Sequence, residues 1–257
     1  MKNLAIPAAA LLASASLSSA AVYSQNFTFA DGTTGGGLGD GSSINSSSEV
    51  AYNSAVRGNA LEITSANATG TTGTFVIPAL ASSSQGFTVT FDLFMQDTAG
   101  GNPPADGLSF TYGNTFNSAA LFGEEGPGGT NSISWVVDTW NNGVNDQGVR
   151  SKVNGNNDFV QLFAPLADGG TLQAPVTLSW SPANGMSMQV GTTTFFSNRA
   201  ITGFTGGDNY LFAFGARTGG ATETVRIDNL VITSVPEPGL LGLLSLGSLA
   251  ALRRRRA

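Results

Sequence analysis

Three short segments hold most of the side chains that could do chemistry. The first is Ala105-Asp106-Gly107-Leu108-Ser109-Phe110. The second is Val137-Asp138-Thr139-Trp140-Asn141-Asn142-Gly143-Val144-Asn145-Asp146. The third is Phe214-Gly215-Ala216-Arg217-Thr218-Gly219-Gly220-Ala221, followed by Val225-Arg226-Ile227-Asp228-Asn229-Leu230. Taken singly each is a weak signal, because Asp-Gly and Gly-Gly are ordinary turn chemistry. The chain has no His and no Cys. That excludes a disulfide framework, a thiolate zinc site, a thiol nucleophile and a Ser-His-Asp triad. Any metal must be held by oxygen, which points to calcium or magnesium.

The elements that must position these segments are strands. In Phe87-Thr88-Val89-Thr90-Phe91-Asp92-Leu93 apolar residues fall on every second position. Leu108, Phe110 and Tyr112 repeat the pattern, as do Val176, Leu178 and Trp180, then Met186, Met188 and Val190, then Tyr210, Phe212 and Phe214. A period of two puts such side chains on one face of a strand. Gly, Asn, Ser and Pro clusters between them are turns. About a dozen short strands with no helical period predict an all-β sandwich or jelly roll of two antiparallel sheets. A hydrophobic content of 41% supplies a core, although only 11% of residues are charged. The Gly- and Ser-rich stretch 32–48 is expected to be a mobile loop. It lacks the Gly-Lys-Ser/Thr ending of a phosphate loop. Residues 21–234 read as one domain, because no linker separates two sets of strands.

Together and in this order, the three segments resemble the L-type (legume-type) lectins and the wider concanavalin A-like jelly-roll superfamily, over roughly residues 87 to 232. The resemblance implies carbohydrate binding. It places the acceptor of sugar hydroxyls on Asp106, after a cis peptide, next to Gly107. It places a stacking ring on Trp140, an amide donor on Asn142 and a backbone loop on Gly219 and Gly220. It also implies a calcium site built from Asp138, the Trp140 carbonyl, Asn142 and Asp146, since calcium takes several mixed oxygen donors. The family's Glu two residues before the first Asp is Val136 here, and its His after the loop is missing, so the transition-metal half of the site is absent.

The same superfamily includes retaining β-glucanases, which need two carboxylates about 5–5.5 Å apart. Their Glu-Xaa-Asp-Xaa-Xaa-Glu string does not occur in this chain. The adjacent Glu124 and Glu125 would point to opposite faces of a strand. No enzymatic activity is expected.

Both termini read as targeting signals. Residues 1–20 carry a single charge at Lys2, an apolar stretch and small residues at Ser18-Ser19-Ala20, the pattern of a secretory signal peptide. Residues 235–257 resemble the PEP-CTERM sorting signal of Gram-negative bacteria. They hold Pro236-Glu237-Pro238, a short apolar helix over 239–252, then Arg253, Arg254, Arg255 and Arg256. That resemblance implies transient residence in the inner membrane, processing by an exosortase-type protease, and a final place at the cell surface or in the extracellular matrix. With the two ends set aside, residues 21–235 hold six basic and 16 acidic residues, a net charge near −10. Such a surface repels nucleic acid. The sequence therefore reads as an exported lectin-like module, with carbohydrate or exopolysaccharide as its partner. The rival reading is a structural surface or matrix protein that uses the jelly roll as a scaffold.

Overall fold

The alternation over 87–96 becomes the central strand of a two-sheet sandwich. In the computed structural model, residues 19–50, 52–98, 103–143 and 146–236 are described. Most of the expected signal peptide and the sorting segment beyond Pro236 lie outside them. The strands are β1 (Val22–Gln25), β2 (Ser43–Ser48), β3 (Ala55–Arg57), β4 (Ala60–Thr64), β5 (Thr71–Ile77), β6 (Phe87–Gln96), β7 (Gly107–Gly113), β8 (Ser132–Asp138), β9 (Gly148–Val153), β10 (Asn156–Leu162), β11 (Thr171–Ser181), β12 (Gly185–Val190), β13 (Thr193–Arg199), β14 (Leu211–Arg217) and β15 (Thr224–Ser234). One sheet runs β13-β12-β11-β6-β15-β4-β3, with β1 also paired to β15. The other runs β10-β9-β8-β7-β14-β5-β2. The ladders are antiparallel, as the sequence predicts.

The inner faces meet in an aromatic core. Phe87 of β6 packs edge-on to Tyr112 of β7 and Phe212 of β14, with ring centroids 4.8 and 5.0 Å apart. Phe91 meets Phe214 at 5.0 Å. Edge-to-face packing suits the ring quadrupoles and adds to the area buried. The buried Trp135 of β8 donates its indole N–H to the carbonyl of Ser187 at 2.9 Å, crossing from one sheet to the other.

One expectation is corrected. The stretch 32–48 is not one loop. Residues 43–48 form β2, which pairs with β5 from Ser43↔Val76 to Ser48↔Thr71. As an edge strand it needs only one buried apolar anchor, Ile44; of its serines Ser47 is exposed and the others are half-buried. β7 and β8 are buried on both faces. Residues 114–131 fold over the outer face, where the Ser109 hydroxyl donates to the Gly123 carbonyl at 2.8 Å. The Ser118 carbonyl ties this segment to β2 by accepting from Asn45 Nδ2 at 2.7 Å.

One carboxylate breaks the rule that buried charges are paired. Glu223 is 0% exposed, and neither of its carboxylate oxygens completes a hydrogen bond. Burial pushes its carboxyl from the ordinary 4.5 up to about 8, and the Thr139 hydroxyl facing it draws it only partly back. In the folded chain the group is protonated at neutral pH, whereas in the unfolded chain it is ionised. Its contribution to stability is therefore intact below about pH 4.5 and lost as pH rises through about 8. The melting temperature is expected to fall between about pH 5 and about pH 8, and to fall less steeply in Glu223→Gln. Thermal scans across that range check it, and superimposable slopes for the two proteins would contradict it.

Candidate functional site

A single row of residues across the seven-stranded sheet sets out the site. Thr72 of β5 pairs with Arg217 of β14, Arg217 with Gly107 of β7, Gly107 with Asp138 of β8, and Asp138 with Gly148 of β9. The row lies at one end of five strands, and the loops that leave it enclose a cleft of about 480 Å³.

Asp106 stands one residue before β7. The Ala105–Asp106 peptide is cis. The Asp106 amide donates to the Arg217 carbonyl at 2.8 Å, and its own carbonyl accepts from the Thr139 amide at 3.1 Å. Both neighbouring loops are thus tied to this one residue. Its side chain is buried at the cleft floor, with Oδ2 accepting from Arg217 Nε at 2.9 Å. Burial pushes its carboxyl up, and the Arg217 guanidinium opposes that. Arg217 Nη2 also lies 3.3 Å from Glu124 Oε1. Burial pushes Glu124 up to about 7.

The walls are two loops. In one, the Asp138 carboxylate accepts from the Trp140 amide at 3.0 Å, and Gln147 Nε2 donates to the Thr139 carbonyl at 2.8 Å. This turns the half-exposed Trp140 and the exposed Asn142 into the cleft. The other wall is 218–221. The Thr218 amide donates to the Thr71 carbonyl at 2.8 Å, and the Gly70 amide to the Gly219 carbonyl at 3.0 Å. A methyl group added at Gly219 would sit 3.7 Å from Asp106 Oδ2, so glycine keeps the carboxylate open to the cleft.

Asp106, Trp140, Asn142, Gly219 and Gly220, which lie far apart in sequence, therefore line one cleft. Gly107 does not. It takes φ +126°, and a Cβ there would lie 2.1 Å from the Val137 carbonyl oxygen; its role is to let β7 pass close to β8. Arg217, Thr72 and Glu49 also line the cleft, and sequence reasoning gave them no role. Arg217 is legible in hindsight as the last residue of an alternating strand. Glu49 stands one residue beyond β2, where no motif marks it.

The expected calcium ligands do not fit a divalent ion. Asp138 Oδ1 accepts from the Trp140 amide at 3.0 Å, and Oδ2 pairs with Arg150 Nη2 at 2.8 Å. Asp146 Oδ1 accepts from the Asn142 amide and Oδ2 from Asn142 Nδ2, both at 2.9 Å. All four carboxylate oxygens thus face N–H donors, and a fixed positive charge already occupies their midst. Among the described residues, no group of three or more acidic side chains is arranged to hold a metal. Burial pushes Asp138 up to about 6 while Arg150 holds it down. At Asp146 a small desolvation effect acts upward, but the hydrogen bonds from Asn142 outweigh it and lower its value.

Residues 234–256 match a family model described as a PEP-CTERM protein-sorting motif. No curated protein matches the chain. Among solved structures, an acidic lectin of winged bean complexed with methyl-α-D-galactose is 20% identical, with a TM-score of 0.61 over 85% of this chain and 99% of that one. Basic winged bean lectin with Tn-antigen is 18% identical, with a TM-score of 0.62 over 86% of this chain and 100% of that one. The carbohydrate recognition domain of Emp46p, in a potassium-bound form, is 16% identical, with a TM-score of 0.59 over 82% of this chain and 95% of that one. The chain thus has the concanavalin A-like jelly-roll fold of the legume-type lectins and carries a PEP-CTERM sorting motif at its C-terminus.

Proposed function

We propose that this is an exported, surface-sorted carbohydrate-binding module without catalytic activity, which takes a saccharide in the cleft over Asp106. The observation that carries the reading is the convergence of Asp106, Trp140, Asn142, Gly219 and Gly220 on that cleft. A buried carboxylate at its floor offers strong acceptors to sugar hydroxyls. Trp140 offers an apolar ring face, and Asn142 and the glycine loop offer amide and backbone groups. Shape and chemistry together suit a polyhydroxylated ring better than a charged polymer. Each of the six basic side chains in residues 21–235 is engaged in an ion pair, which leaves no unpaired cation there to meet phosphate. An enzyme reading has less support. Glu124, raised to about 7, has the acidity of a general acid, but it does not line the cleft, and Arg217 bridges it to Asp106.

The C-terminal motif supports export through the inner membrane of a Gram-negative cell. Processing next to Pro236, Glu237 and Pro238 by an exosortase-type protease would remove Arg253, Arg254, Arg255 and Arg256. The released domain would lodge at the surface or in the matrix, with exopolysaccharide as its natural partner.

A glycan array tests the binding reading. The purified protein is expected to bind at least one glycan class. Asp106→Asn, with a near-normal melting temperature, is expected to weaken that binding by about 10- to 100-fold, the factor for a hydrogen bond to a charged group worth about 1.5–3 kcal/mol, and Trp140→Ala, which removes the ring face, is expected to weaken it as well. Silence across the array would leave a structural scaffold as the better account. Sorting is tested separately by mass spectrometry of the mature protein, whose C-terminus is expected near residue 236. Recovery of an intact arginine cluster from outside wild-type cells would overturn the sorting account.

A further inference from the structure

We infer that Arg150 is the built-in cation beside residues 139–143 and 146–147, standing between carboxylates that would otherwise need a metal ion, so that Trp140 and Asn142 are held at the cleft wall without divalent cations. The loop begins after Asp138 and closes at Asp146, and its ends bring two carboxylates to one place. Glu125, from the segment that covers the outer face of the sheet, is a third. Like charges this close repel, and the repulsion grows as water is excluded. Something positive must sit among them for Trp140 and Asn142 to be held toward the cleft.

Arg150 supplies that charge. It lies on β9 opposite Val136 of β8, and its side chain is 9% exposed. Nη2 pairs with Asp138 Oδ2 at 2.8 Å and also donates to the Asp146 carbonyl. Nη1 pairs with Glu125 Oε1 at 2.6 Å. One planar fork therefore joins the end of β8, the end of the loop and the covering segment, a geometry that guanidinium provides and a point charge does not. Lys152, two residues on and so on the same face of β9, donates from Nζ to Glu125 Oε2 at 2.5 Å. Three carboxylates are thus met by two fixed cations. Asn142 completes the arrangement from inside the loop, turning both its backbone and its side-chain N–H toward Asp146 rather than an oxygen toward an ion.

A divalent ion placed among these oxygens would have to displace four N–H donors and lie against a buried guanidinium. The placing of Trp140 and Asn142 is then independent of metal concentration. The consequence for sugar affinity rests on the carbohydrate reading above; the role of Arg150 does not.

The test is a set of melting curves of the purified full-length chain after EDTA treatment, with and without millimolar calcium chloride. The wild-type melting temperature is expected to be the same in both, and calorimetric titration with calcium is expected to show no stoichiometric binding. Arg150→Gln is expected to melt several degrees lower and to regain part of the loss in calcium, because three carboxylates without their guanidinium attract a cation. Arg150→Lys, which keeps the charge but not the fork, should fall between the two. A rise of several degrees in wild type on adding calcium, or a deficit in Arg150→Gln that calcium leaves untouched, overturns the proposal. The wild-type arm decides the matter even if the glutamine variant does not fold. For any glycan that the array identifies, EDTA is expected to leave wild-type binding unchanged, and loss of binding in EDTA also overturns it. If no glycan binds, the melting curves still judge Arg150 and only the carbohydrate reading fails.

Discussion

Gly107 stands between Asp138 on one side and Arg217 on the other, and the site depends on this register. A slip of one residue in an antiparallel ladder turns every side chain to the opposite face. It would also separate Asp106 from both the Arg217 carbonyl and the Thr139 amide that it now joins. The register is fixed from within by the aromatic core, since Phe110 and Tyr112 on β7 must meet Phe87, Phe212 and Phe214. Core packing in the middle of the strands thus determines which polar groups meet at their ends. The glycine itself is part of the constraint, because any Cβ at that position would strike the Val137 carbonyl.

Electrostatics does the rest. An acidic chain with few cations places three of them, Arg150, Lys152 and Arg217, around the loops that border the cleft. Arg150 and Lys152 neutralise carboxylates behind the cleft wall. Arg217 is half exposed and engages Asp106 from inside the cleft. A buried ion pair contributes little net stability, because desolvation offsets most of the attraction, whereas removing one partner is costly. Such pairs act here as determinants of geometry: they make one loop conformation far better satisfied than its alternatives.

The legibility of this molecule in its sequence follows the same physics. β6 could be read residue by residue because one face is buried and the other is not. The outer faces of β7 and β8 could not, because Ser109, Thr111 and Ser134 look like solvent-facing positions and are buried by a segment 114–131 that has no period of its own. β2 was missed because an edge strand of serines and asparagine pairs through its backbone, which every sequence possesses. Five of the six residues expected around a sugar line the cleft, and motif order is what had placed them together. Arg150 was not, since a lone arginine in Gly148–Val153 gives no sign that its side chain crosses to Asp138. The carboxylates expected to hold calcium were visible in the sequence and their guanidinium partner was not.

Trp140 allows the central claim, that the cleft takes a saccharide against its ring, to be measured directly. Of the three tryptophans, Trp135 and Trp180 are buried in the core and Trp140 alone lines the cleft. Its emission can be followed while oligosaccharides are titrated into the protein in EDTA. The account predicts a saturable change in intensity and emission maximum, absent from Trp140→Phe. Emission that stays constant while the same oligosaccharides demonstrably bind, or a change that persists in Trp140→Phe, would place the sugar elsewhere and contradict it.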